Sequence, residues 1–195
     1  MYKKQMLLQR ITSFLLLALA ALVFVYSLGI MTDLYDSLYL VSSYPEDDFM
    51  YVPGSYVYLE MQEFNRQLTT AGIILIISAV ALFVFRSHDR RKYYVANYIT
   101  IGLNAIANVA VSVWALTNVF KYKAQYQLVD FEKLDEISKL LSGSIKYTKS
   151  TFCFDISWAV FIPLLLATAI SIGCLVWKII LMRAERKLVE EGKEA

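Results

Sequence analysis

Residues 95–120 read VANYITIGLNAIANVAVSVWALTNVF, a run with no charged side chain. A helix rising about 1.5 Å per residue carries such a run across a hydrocarbon core of about 30 Å. Three further runs share the property: Ile11–Met31, Leu68–Phe85 and Ser157–Met182, in which Lys178 near the end is the one charge. Hydrophobic residues make up 58% of the 195-residue chain, and these runs concentrate them. Lipid offers a backbone N–H or C=O no partner, so each run is expected to be a helix.

The expected fold class is therefore an all-α membrane protein: a four-transmembrane-helix bundle forming a single integral membrane domain. The spans are 11–31, 68–85, 95–120 and 157–182. Outer segments cover 32–67 and 121–156, a cytoplasmic turn 86–93 and a cytoplasmic tail 183–195. A signal peptide is a weaker reading of the first run, because its apolar core is long and Ala18-Leu19-Ala20 lies inside it. A retained first span is expected.

Charge sets the expected orientation. Lys3, Lys4 and Arg10, then Arg86, Arg90, Arg91 and Lys92, then Lys178, Arg183, Arg186 and Lys187 flank the runs on alternate sides. Lys and Arg favour the cytoplasmic face, which gives N-in/C-in. The segment 32–67 holds seven acidic residues against Arg66 alone. The six lysines of 121–156 argue the other way, but charge in long loops weighs less. The multi-pass plasma membrane, of the prokaryotic inner (cytoplasmic) type, is the expected location, since neither outer segment has loop disulfides or an Asn-x-Ser/Thr acceptor. Formal net charge of +2 gives no attraction to nucleic acid.

The outer segments are expected to form a small extracytoplasmic cap. Pro53-Gly54 suits the centre of a type II turn, with Phe49-Met50-Tyr51-Val52 and Tyr56-Val57-Tyr58-Leu59 as the arms of a short β-hairpin over 49–59. Phe131, Leu134, Ile137, Leu141 and Ile145 recur at helical spacing, which predicts an amphipathic helix over about 130–141 with Gly143 as its stop. The first helix is expected to run past the membrane through Leu34, Leu38 and Val41, and Pro163 to bend the fourth.

Three constellations are candidate sites. Asn97, Asn104, Asn108 and Ser112, with Thr100 at the margin, line one face of the third span. Such a stripe is either helix–helix glue, helped by the small residues Ala96, Gly102, Ala105, Ala107 and Ala110, or a polar path for a solute. Tyr35, Tyr39, Tyr44, Tyr51, Tyr56 and Tyr58 form either an interfacial belt or an outer docking surface. The basic turn of Arg86, Arg90, Arg91 and Lys92 sets topology or holds anionic head groups.

No catalytic, cofactor or metal motif is found. The chain has one histidine, His88, no Cys-x-x-Cys and no glycine-rich phosphate loop, and the adjacent acids Glu46, Asp47 and Asp48 lack calcium-ligand spacing. The expectation is a non-enzyme without cofactors. Its partners are the lipid bilayer and either another membrane protein or further copies of itself. The expected role is a non-catalytic integral membrane subunit docking on membrane or envelope proteins, as an accessory component of a transport complex. The alternatives are a small oligomeric transporter or channel using the asparagine stripe, and a membrane-embedded lipid-binding protein or enzyme.

Overall fold

The structure is a computed structural model that describes residues 2–35, 42, 44–85, 94–141 and 147–194. Tyr39, the basic turn with His88, and Gly143 lie outside the described residues, as does the side chain of Tyr35.

Among the described residues the regular elements are helices: α1 (Tyr2–Tyr35), α2 (Val57–Val84), α3 (Tyr94–Tyr126), α4 (Phe131–Leu140), α5 (Phe152–Asp155) and α6 (Ser157–Glu194). Four of them, α1, α2, α3 and the α5–α6 segment, are long and apolar enough to span a bilayer. Each exceeds the apolar run that announced it, because the helices continue into polar sequence. In α2 the extra turns bury Val57, Met61 and Phe64, at intervals of four and three, with Asn65 beside Phe64, while Glu63 and Arg66 on the other face form an exposed ion pair.

Contacts between helices fix the topology. Phe14 meets Phe83 and Ser27 meets Thr69, so α1 and α2 are antiparallel. Ser78 bonds Asn104 and Phe64 stacks near Tyr122, so α2 and α3 are too. Asn108 bonds Thr168 and Phe120 meets Trp158, which sets α6 antiparallel to α3. Tyr26 against Phe161 closes the ring between α1 and α6. The start of α1 and the end of α6 share one end of the bundle, the terminus end. The two long connections share the other, the loop end.

The bundle's outer surface is apolar. Val25, Ile77, Leu103, Ile106 and Leu166 are all exposed. Helices apolar on their outer face as well as their inner one are suited to lipid rather than water.

The small residues work differently from the expectation. Gly102 faces open space, with nothing within 4 Å of an added Cβ. Gly72 is the close-approach residue: a Cβ there would lie 3.0 Å from the Phe24 Cα, so α1 and α2 cross backbone against side-chain-free backbone.

At the loop end, the amphipathic helix forms as expected. The Asp130 carboxylate accepts from the Glu132 and Lys133 amides and caps α4. Leu134 and Ile137 point into a small core with Val52, Val57, Tyr58, Tyr126 and Phe154. The β-hairpin over 49–59 does not form: no residue in it is a strand, and Val57–Leu59 belong to α2. The turn at its centre survives. Gly54 has φ +80 and the Ser55 amide donates to the Val52 carbonyl at 3.1 Å, as a type II turn requires. The helical spacing of Val57, Met61 and Phe64 outweighs the strand preference of Tyr56-Val57-Tyr58. The turn leans on the α3–α4 corner, where the Asp130 amide donates to the Pro53 carbonyl at 3.0 Å.

Gly54 is thus required twice, by its φ and by its neighbour. A Cβ would sit 2.8 Å from the Leu128 carbonyl oxygen. Gly54→Ala is expected to cost roughly 1–3 kcal/mol of stability, whereas Gly102→Ala should be neutral or stabilising by up to about 1 kcal/mol. Thermal unfolding of the two variants in detergent, followed by circular dichroism, tests the pair. Equal stabilities would refute the close docking of the turn.

Candidate functional site

The asparagine stripe of α3 is the most polar feature of the bundle interior. Asn97, Asn104, Asn108 and Ser112 expose 0%, 2%, 1% and 0% of their surface. Their regular spacing turns them to the centre together, because a carboxamide facing hydrocarbon without a partner is costly. Asn104 donates to the Ser78 hydroxyl on α2 at 2.8 Å. Asn108 donates to the Asn104 carbonyl oxygen at 3.1 Å and to the Thr168 hydroxyl on α6 at 3.0 Å. Thr100, half-buried at the margin, donates back to the Ala96 carbonyl at 2.7 Å. Three helices are thereby tied at mid-height.

Toward the terminus end the stripe runs into a second network that the sequence reading did not assemble. The Lys178 ammonium donates to the Asn97 side-chain oxygen at 2.7 Å and lies 5.5 Å from the Tyr98 ring centroid. Gln9 of α1 donates to the same oxygen at 3.3 Å, and the Asn97 amide donates to the Phe85 carbonyl at 3.3 Å. Gln5 bridges to Gln9 and to the Cys174 carbonyl of α6, each at 3.1 Å. Tyr98 bonds the Met182 sulfur. All four long helices contribute.

This corrects the role of Lys178. The charge pattern groups it with Arg183, Arg186 and Lys187 as a boundary marker. Those three are exposed, but Lys178 is fully buried. Its aliphatic stem fills the bundle and its ammonium ends in a cage of carboxamide and aromatic ring. The signal for the network was in the sequence: Gln5 and Gln9 are four apart in what reads as a basic lead-in and are instead the first turns of α1. Asn65 was also missed. It is buried in α2, with neither side-chain amide atom hydrogen-bonded to the protein.

The outer tyrosines whose side chains are described differ in exposure. Tyr58 is core, 2% exposed, and meets Tyr126 edge to face at 5.9 Å. Tyr44 and Tyr51 are half-buried, with Lys133 over the Tyr51 ring at 6.0 Å. Tyr56 is open, 62% exposed. Tyr35 ends α1. The acidic trio is a turn: the Asp48 carboxylate accepts from the Met50 amide at 2.8 Å. Among the described residues, no three His, Cys, Asp or Glu side chains converge as a metal site needs.

One titrating pair holds the loop end. The Tyr147 hydroxyl donates to the Asp135 carboxylate, and the Tyr147 ring stacks on Phe131 at 6.3 Å. The bond from Tyr147, helped by Lys139 and Lys149, holds Asp135 below the usual carboxylate range. Accepting that bond, the carboxylate pushes the Tyr147 hydroxyl up from 10.0 to about 12.

Two outcomes are expected. Asn97→Leu removes the oxygen that accepts from a buried ammonium and should cost roughly 1.5–3 kcal/mol. The double variant Asn97→Leu/Lys178→Met should cost less than the sum of its singles. Denaturation of the four proteins in one detergent measures this, and strict additivity would deny the coupling. The second outcome concerns pH. A raised tyrosine pKa stabilises the folded state below pH 10.0, and that stability drains away as pH rises toward about 12. The lowered Asp135 pKa acts at the other end, its stability being lost on acidification below the usual carboxylate range. Melting temperature against pH should show an alkaline decline that Tyr147→Phe lessens; an unchanged decline in the variant would refute the pair.

No protein-family model, curated protein or solved structure matches this chain.

Proposed function

We propose that this chain is a non-catalytic integral membrane subunit that docks on other membrane or envelope proteins, as an accessory component of a transport complex. The observation that carries the reading is the closure of the bundle interior. Asn97, Asn104 and Asn108 present almost no surface to a water-sized probe and spend their amide groups on neighbouring helices. A path for a hydrated solute needs such groups open and lining a cavity. The stripe therefore supports the glue reading over the transporter reading.

What the molecule offers to others lies outside the bundle interior. At the loop end, Phe49, Leu128, Leu140 and Tyr56 are 72%, 75%, 64% and 62% exposed. Large apolar and aromatic side chains held on a packed base are the usual anchors of a protein interface. With the terminus end cytoplasmic, as the Lys and Arg pattern favours, this end would face the exterior of a plasma membrane.

The test is co-purification in mild detergent, with mass spectrometry of what elutes alongside. A specific membrane or envelope protein should accompany the native chain and be lost from Phe49→Ser and Leu128→Ser variants that melt like the native protein. A solitary, monodisperse native protein would refute the proposal. A homo-oligomer that these variants leave intact would refute the loop-end docking.

A further inference from the structure

We infer that a groove between α1 and the α5–α6 corner is a binding site for one acyl chain of a membrane phospholipid. The groove has a volume of about 250 Å³. Leu22, Val25 and Gly29 form one wall, and Phe152, Ile156 and Val160 the other. Its one side-chain hydroxyl, on Tyr26, donates to the Cys153 carbonyl at 3.1 Å across the floor. That bond ties the two walls together and removes the hydroxyl from the reach of a ligand. What remains is apolar apart from the Cys153 thiol, with no charged side chain among the described residues of the lining to orient a polar solute.

Depth identifies the occupant. Leu22–Gly29 close the candidate span Lys3–Gly29, and Phe152–Val160 open the span Phe152–Lys187. The groove therefore sits in the loop-end half of α1 and at the opening turns of the α5–α6 span. Tyr26 and Trp158 at this level are residues of the kind that mark a membrane interface. Exposed Lys149 and Ser150 lead directly into Phe152 and supply polar groups at the height of a lipid head group. Hydrocarbon chains are the solvent on the lower part of such a groove, and a head group fits its upper end.

Size separates a lipid chain from the competing occupants. The volume is below the roughly 300–1,000 Å³ typical of sites for drug-sized solutes. A stable protein interface engages roughly 20–30 residues a side, whereas the groove is lined by eight. A partner helix would rest on its rim and leave it unfilled, while a single flexible chain can enter it. Gly29 keeps the groove open: an added Cβ there meets nothing within 4 Å, so a larger side chain can occupy the space without displacing the helix.

The site is independent of the docking role, and its test uses the purified full chain alone. The protein is placed in phosphatidylcholine nanodiscs doped with phosphatidylcholine bearing a diazirine on one acyl chain, irradiated, and the labelled residues mapped by mass spectrometry. Labelling at Leu22, Val25, Phe152 and Ile156 should exceed by several-fold that at Ile77 and Ile106, which are 64% and 68% exposed on α2 and α3. Gly29→Leu should reduce groove labelling to the level of those controls and leave the controls unchanged. Even labelling of all exposed residues in the native protein would overturn the inference, whether or not the variant folds. So would native-level groove labelling in a folded Gly29→Leu protein, or groove residues found cross-linked to a second copy of the chain.

Discussion

A carboxamide placed among hydrocarbon chains must find a hydrogen-bond partner, and the rest of this bundle follows from how α3 meets that demand. Asn97, Asn104 and Asn108 lie on one face of the helix, so a single rotation buries all three. That rotation sets which neighbours can answer. Ser78 must come from α2, Thr168 from α6, and Gln9 from α1 by way of Asn97. Apolar packing alone would specify the rotation of α3 less sharply, because exposed Leu103, Ile106 and Val113 lie on its other side. The amides remove that freedom. Each bond contributes only about 0.6–2 kcal/mol, but every misrotated alternative would strand several of them at once.

The same logic accounts for Lys178. An ammonium near the end of a span can reach water by extending its stem, and Arg183, Arg186 and Lys187 beyond it are exposed. Lys178 instead turns inward, because Asn97 and the face of Tyr98 meet it at 2.7 Å and 5.5 Å. The network at the terminus end is therefore a continuation of the stripe, not a separate feature. It carries the same tie from the middle of the bundle to its edge and adds the one helix, α1, that the mid-height bonds omit.

Much of this was legible in the residues. Long uncharged runs name the spans because lipid permits little else, and the inward direction of the stripe follows from its spacing. The α4 helix was readable because Phe131, Leu134 and Ile137 keep its period. The errors have physical causes. Tyr56-Val57-Tyr58 has strand-like composition, but Val57, Met61, Phe64 and Leu68 all face the core along one helix stripe, and tertiary burial outweighs local preference. Lys178 was misassigned because a charge count sees a residue's position along the chain and not the carboxamide that a helix 81 positions away presents to it. Gly102 and Gly72 look alike in sequence, and only the approach of Phe24 gives one of them a reason to be small.

These constraints also divide the molecule by what it can offer. The amides of Asn97, Asn104 and Asn108 are engaged with neighbouring helices, which ties the bundle interior together. The loop end is built differently: aromatic edges around Tyr126, with Tyr58, Phe131 and Phe154 at 5.9, 5.5 and 5.3 Å, stand where the stripe has given out. The Pro53-Gly54 turn is locked onto that cluster's backbone. A rigid bundle with a firmly packed loop end loses little conformational freedom when something settles on its surface, and that lowers the entropic cost of association.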